Sequence, residues 1–181
     1  MSPRRHGSLN GMEHTHTRHE VGADTELQEE LREVLDATRF MVLGTVGPDG
    51  HPRVSPVFFT HHDYRALYWV SSPDAQHSTN VLGHPGIEVV VFDSTRVPRT
   101  TQAAYLRGTV TEVAEGDLPA ECERAFATAT ARGARPFTPD ELSGDGDLRL
   151  YRLDVAEHAV HVRGGSERGL GIDTRFGITM G

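Results

Sequence analysis

The chain has 181 residues, 36% hydrophobic and 24% charged, with a formal net charge of −8, which suits one globular domain of ordinary composition with a tail. An acidic balance excludes broad nucleic-acid binding, because neutralising a phosphate backbone needs a basic face. The basic residues, 18 in all, are arginines without a single lysine, so Schiff-base lysine chemistry, and with it an internal aldimine to pyridoxal phosphate, is excluded.

Residues 1–22 are polar, histidine-rich and without hydrophobic period, the pattern of a disordered leader. His14, His16 and His19 have loose spacing and no fixed carboxylate, so they read as a solvated tail and not as a metal site. No apolar core follows the basic N-terminal residues and no run approaches 18 apolar residues, which predicts a soluble, cytoplasmic protein without a membrane span. Cys122 is the single cysteine, so an intrachain disulfide and a cysteine-rich zinc site are both impossible.

Leu27, Leu31, Val34 and Leu35 recur at helical spacing, with Asp24 or Thr25 as cap. Phe40 to Val46 reads as a strand, and Gly47-Pro48-Asp49-Gly50 as the turn that sends it back, since proline fixes one φ and glycine supplies a positive one. Residues 53–59 and 67–71 are rich in β-branched and aromatic side chains, as strands require. Ser72 to Asn80 is a polar loop opening a helix, where hydroxyls, an imidazole and free helix-start N–H groups converge in a way suited to phosphate. Further strands are expected at 87–92 and 103–113, a helix from Leu118 to Arg132, a short turn started by Thr138 with Glu141, and a long strand or strand pair from Leu148 to Val162. The glycine-rich segment 164–181 is expected to drape over the surface as a tail. His61-His62-Asp63 reads as a hairpin turn, because neighbours on an extended chain point to opposite faces; His158 and His161, three apart, fail as a metal pair for the same reason. No nucleophile elbow, P-loop or zinc-protease motif occurs. Many strands and few helices predict a mainly β, α+β molecule built on a closed or nearly closed antiparallel barrel.

The segments GHPRVSPVFF, LYWVSS, His77-Ser78-Thr79-Asn80 ahead of Val81-Leu82-Gly83-His84-Pro85, and Tyr105-Leu106-Arg107-Gly108-Thr109 resemble, in order and spacing from about Thr38 to Val162, the FMN-binding split-barrel family of pyridoxamine 5'-phosphate oxidase and its flavin or deazaflavin relatives. The resemblance implies a six-stranded antiparallel split β-barrel with a few flanking helices, spanning 23–163, paired as a homodimer with the cofactor at the interface. It implies FMN, or a deazaflavin coenzyme in its place, and a small-molecule electron donor or acceptor; a noncatalytic flavin or haem storage protein is the alternative from another class. By position, Arg53 and Ser55, then Ser71 and Ser72, then His77 with Ser78 would hold the phosphate, and Val70 and Gln76 are further cofactor-binding positions. Val54, Pro56 and Val57 would meet the isoalloxazine, and Gln102 would reach a flavin carbonyl from either subunit, with Arg99, Thr100 and Thr101 as further candidates. Relatives often carry lysine or arginine where this chain has His77, and imidazole is only partly charged near neutrality. No catalytic side chain and no metal ligand is expected. Asn80 reads as structural. Vitamin B6 oxidation itself is not expected, because the arginine- and tryptophan-bearing C-terminal segment of the oxidases has no counterpart here.

Overall fold

A computed structural model describes residues 25–97, 102–166 and 171–180; the expected leader and the Arg99–Thr101 loop lie outside them. The helix α1 (Thr25–Ala37) buries Leu27, Leu31, Val34 and Leu35 against the sheet. Its last carbonyls are claimed by Arg132, whose guanidinium donates to Leu35 O, Asp36 O and Thr38 O, the basic termination that a helix C-terminus favours.

Strands β1 (Phe40–Val46) and β2 (Pro52–Phe58) form the expected hairpin, with Gly50 at φ 76°. β3 (Thr60–His62) and β4 (Ala66–Ser71) form a second hairpin. Its turn places two non-glycine residues, Asp63 (φ 51°) and Tyr64 (φ 57°), in the left-handed region, the geometry that usually selects Asn-Gly. After α2 (Gln76–Gly83) come β5 (Gly86–Phe92) and β6 (Ala103–Glu112). The helix α3 (Leu118–Phe126) precedes the long β7 (Arg149–Val162) and finally β8 (Thr174–Ile178). The antiparallel sheet runs β2-β1-β5-β6-β7-β4-β3, with β8 added on β7. It curls until β2 and β4 approach each other without pairing, which is the split of the barrel. The side chains facing inward, among them Met41, Leu43, Trp69, Val89, Leu106, Tyr151 and Leu153, share one core with α1. A second cluster seats α3 on the outer face of β4 and β7 through Tyr68, Leu118, Cys122 and Leu150, fastened by the Tyr68 hydroxyl donating to Glu121 at 2.6 Å.

The expected antiparallel split barrel is present, as a curled sheet of eight strands among the described residues; the count exceeds the six that the resemblance implies partly because the run after Arg53 breaks at Phe59, whose N–H turns to Arg39 O at 3.1 Å instead of continuing the ladder. Two expectations need correction. The segment 164–181 does not merely drape: β8 pairs with β7 from His158↔Ile178 to Val162↔Thr174, and Ile178 and Met180 enter the core. The helix expected to reach Arg132 ends at Phe126 and continues as turns, since Thr128, Thr130 and Gly133 are poor helix formers. The Thr138–Glu141 start is present as a capping box. Among the described residues no helix is long and apolar enough to cross a membrane.

The β6–β7 ladder shifts register between Arg107 and Gly108. A Cβ on Gly108 would stand 1.9 Å from Asp154 O, so only glycine permits the two backbones to meet there. Gly108→Ala is therefore expected to lower the unfolding free energy by about 3 kcal/mol or more, whereas Gly86→Ala, whose Cβ meets nothing within 4 Å, should change it by less than about 0.5 kcal/mol. Urea unfolding of the two variants beside the parent checks the contrast.

Candidate functional site

The inner face of β2 is read from its register: Arg53 opposes Thr45, Ser55 opposes Leu43 and Val57 opposes Met41, and these three partners are buried in the barrel. Opposed residues share a face, so Arg53, Ser55 and Val57 line the inner side at the split. Val54, 75% exposed, and Pro56 face outward. On β4, Leu67 and Trp69 enter the core, and the period of two sets Ser71 on that same side. Val70 points the other way, against the cluster beneath α3.

The helix α2 closes this end of the barrel. Ala75 at its N-cap makes no side-chain cap bond, and the first intrahelical bond runs from Thr79 N to Ala75 O at 3.0 Å. The N–H groups of Gln76, His77 and Ser78 thus have no helix carbonyl to bond, and they carry the positive end of the helix dipole. His77 Nε2 lies 2.8 Å from Ser71 Oγ. Burial pushes the imidazole below its ordinary pKa, so the ring is neutral at pH 7. Ser72 Oγ accepts from Asp74 N at 3.2 Å, which commits its side chain to the turn, and Gln76 is exposed on the first turn of the helix.

Two residues anchor the helix from below. Asn80 Nδ2 donates to Thr45 Oγ1 at 3.0 Å, in line with a structural role. Ser78 is fully buried, and its hydroxyl faces the Tyr151 phenol, whose pKa burial raises and the Ser78 hydroxyl partly draws back. Tyr151 stacks on Trp69 with ring centroids 5.5 Å apart. Only the backbone N–H of Ser78, not its hydroxyl, belongs to the open corner. Arg53 is turned back on the hairpin, donating to Asp49 Oδ2 at 2.8 Å and to Pro52 O.

Ser71, His77 and the first turn of α2 are thereby brought together, with Ser55 and Arg53 on the facing strand. Gln102 is not part of this corner within one chain. Val110 is the β6 residue that bonds Pro85 O just after α2, and at about 3.3 Å per residue Gln102 stands roughly 25 Å away along the strand. Its amide instead bonds the Glu30 carboxyl of α1, partly offsetting the rise that burial gives that group. Sequence reasoning missed Thr45, Trp69 and Tyr151 as supports of the corner; the alternation of β1, β4 and β7 marks them as inward, but only the pairing of β4 with β7 brings Trp69 and Tyr151 face to face.

Two histidines outside the corner, His61 and His158, are occupied. His61 Nε2 meets Asp36 Oδ1 at 2.9 Å and His158 Nε2 donates to Tyr64 O at 2.7 Å. Among the described residues no group of three or more metal-ligating side chains occurs.

A curled antiparallel sheet, open along one seam and closed at one end by a short helix with a free N-terminal turn, defines a split-barrel protein. Residues 27–161 match the family described as Pyridoxamine 5'-phosphate oxidase, and the chain belongs to that family. No curated protein matches the sequence. Among solved structures, a haem-binding protein from Mycobacterium smegmatis is similar with a TM-score of 0.60 at 18% identity over 82% of this chain, which spans 57% of the length of that protein. An FAD-binding protein from Mesorhizobium loti gives a TM-score of 0.56 at 18% identity, covering 73% of this chain and 91% of that one. An F420 reductase gives 0.52 at 20% identity, covering 70% and 94%. At these identities the likeness is one of fold.

Proposed function

We propose that this protein is a flavin-dependent oxidoreductase, cytoplasmic and homodimeric, that holds FMN by its phosphate at the α2 corner and exchanges electrons with a small molecule. The observation that carries the reading is the uncapped first turn of α2 beside the Ser71–His77 pair: three backbone N–H groups without a helix acceptor, next to a hydroxyl and an imidazole, are the kind of donor set an anion needs. The backbone N–H groups of Gln76, His77 and Ser78 would hold the phosphate with the Ser71 hydroxyl and the His77 ring, and Ser55 and Arg53 would close on it once Arg53 leaves Asp49. Val57 would offer apolar surface to the ring system from the inner face, and Val54 and Pro56, whose side chains face outward, would offer only the β2 backbone. Bound flavin supplies the hydride and electron chemistry; the chain binds it, orients it and excludes water around it.

A deazaflavin-dependent reductase of the same fold is the second reading. The corner offers one neutral imidazole and one arginine already paired with Asp49, a charge that suits a single phosphate better than a multiply acidic coenzyme tail. Gln102, remote from its own corner, belongs to the proposal only as a contact from the second copy. Support for that copy comes from the outer sheet face, where the register lays Phe40, Val42 and Val46 of β1 beside Phe58, Pro56, Val54 and Pro52 of β2 and next to Val90 of β5. Phe40 is 59% exposed there and packs edge-on against Phe58.

Native mass spectrometry and titration with FMN and with the deazaflavin coenzyme test the cofactor, and stopped-flow reoxidation separates an enzyme from a storage protein, which would retain the group without turnover. A phosphate beside His77 raises its depressed pKa. Affinity should therefore be greatest below the free-state pKa and weaken as pH climbs through the bound-state value. His77→Ala should weaken FMN binding roughly ten- to a hundredfold, on the order of 1.5–3 kcal/mol, and abolish that pH dependence. Affinities flat with pH and indifferent to the substitution would overturn the assignment.

Sedimentation should give a dimer for the parent and a monomer for Phe40→Asp, because a carboxylate cannot be buried unpaired in an apolar interface. A parent monomer that binds flavin tightly would sink the dimer.

A further inference from the structure

A second recess lies away from the α2 corner. Along one edge β7 pairs with β6; along the other it pairs with β4 as far as Asp154 and with β8 from His158 onward. Residues 155–157 fall between the two strands, and the β6–β7 register shifts opposite them. Bulges interrupt a ladder and redirect the neighbouring side chains. Over this gap the sheet forms an open recess of about 600 Å³.

Three guanidiniums and two carboxylates line it, and they are not matched. Arg175 lies 3.9 Å from the centroid of the Tyr105 ring and pairs with Glu88, making a flat, fixed platform. Arg107 meets Glu157 only at 3.5 Å with both side chains 67% exposed, a pair of the kind that contributes little and yields readily. Arg65 has no carboxylate partner among the described residues: its Nη2 donates to Met180 O at 2.8 Å, and a guanidinium has five N–H donors to place. Its charge is felt at the floor, where, after burial, Arg65 is what holds the His158 imidazole below its ordinary pKa. The recess thus has a cation in excess, directional donors without acceptors, and an aromatic ledge.

We infer that this recess binds a small oxyanion-bearing molecule, an organic acid or a phosphate ester, whose anionic group bonds Arg65 and draws Arg107 from Glu157 while its body rests on the Tyr105–Arg175 platform. A planar fork with spare donors recognises carboxylate and phosphate oxygens in the same way. The site is distinct from the α2 corner: Arg65 precedes β4 and Ser71 ends it, and six residues of strand separate them by about 20 Å. The inference stands whether or not flavin binds at α2.

Calorimetric titration of the full chain at low ionic strength with inorganic phosphate, and separately with succinate, tests it. At least one probe should bind saturably and raise the melting temperature with the logarithm of its concentration above the Kd; the tighter probe tells a phosphate ester from a carboxylic acid. Arg65→Gln should weaken that binding tenfold or more. Glu157→Gln, which releases Arg107, should tighten it several-fold, a gain that general damage to the fold does not produce. Arg96→Gln, outside the recess, should leave it unchanged. Absence of saturable binding by either probe, or an affinity that Arg65→Gln leaves intact, overturns the inference. If Arg65→Gln does not fold, Glu157→Gln decides alone, and an unchanged or weaker affinity overturns it.

Discussion

One strand sets the terms for the others. β7, 14 residues long, offers both edges to the sheet, and three strands compete for them: β6 takes one edge while β4 and β8 divide the other. Buried backbone groups must be paired, so the point at which β4 gives way to β8 is fixed by where each can complete its bonds. That division decides how far β4 runs, and hence that Ser71 ends opposite Arg149 at the mouth of the barrel, within reach of α2. It also leaves the gap at 155–157, bridged by the bond from Val155 N to Arg65 O at 2.8 Å, and it brings β6 so near Asp154 that position 108 admits no side chain.

The corner at α2 is defined from beneath. A helix of 8 residues is too short to hold itself in water; its position comes from docking. Val81 in the core, Asn80 bonded to Thr45, and Ser78 sealed over Tyr151 fix its rotation, so that its N-terminal turn faces the split while its polar anchors face inward. Supporting groups locked by packing hold donors where a ligand meets them. The stacked pair of Trp69 and Tyr151 extends that support across β4 and β7 to the barrel wall.

Much of this was legible because it is local. Period two marks Phe40–Val46 and 87–92, period 3.6 marks Leu27 to Leu35, and Pro48-Asp49-Gly50 marks the turn between β1 and β2. What escaped depends on distant pairing. The residues of β8, Thr-Arg-Phe-Gly-Ile, sit in a glycine-rich context that suppresses the strand signal, and they become a strand because β7 offers an open edge. Ser78 and His77 are adjacent and equally polar in sequence, yet one is sealed and the other faces the seam, a difference set by the docking of α2 and not by any local preference. Gln102 has the chemistry of a flavin contact, but which end of β6 meets α2 follows from antiparallel order across three strands. The expectation that Ser71 and His77 each meet a phosphate rested on family likeness; that the two side chains lie 2.8 Å apart was legible only in the folded chain.

The turn between β3 and β4 carries a thermodynamic consequence of its own. Asp63 and Tyr64 both occupy left-handed backbone; aspartate is among the residues that tolerate it, but for Tyr64 it costs roughly 1–2 kcal/mol. The conformation is held from outside: the Tyr64 hydroxyl donates to Asp36 of α1 at 3.1 Å, and its carbonyl accepts from His158 of β7. This hairpin is closed by its surroundings and opposed by its own loop. Local propensity and tertiary contact pull against each other here, so β3 and β4 owe their order to the arrival of α1 and β7, and the same peptide cut free of them would lose the bend.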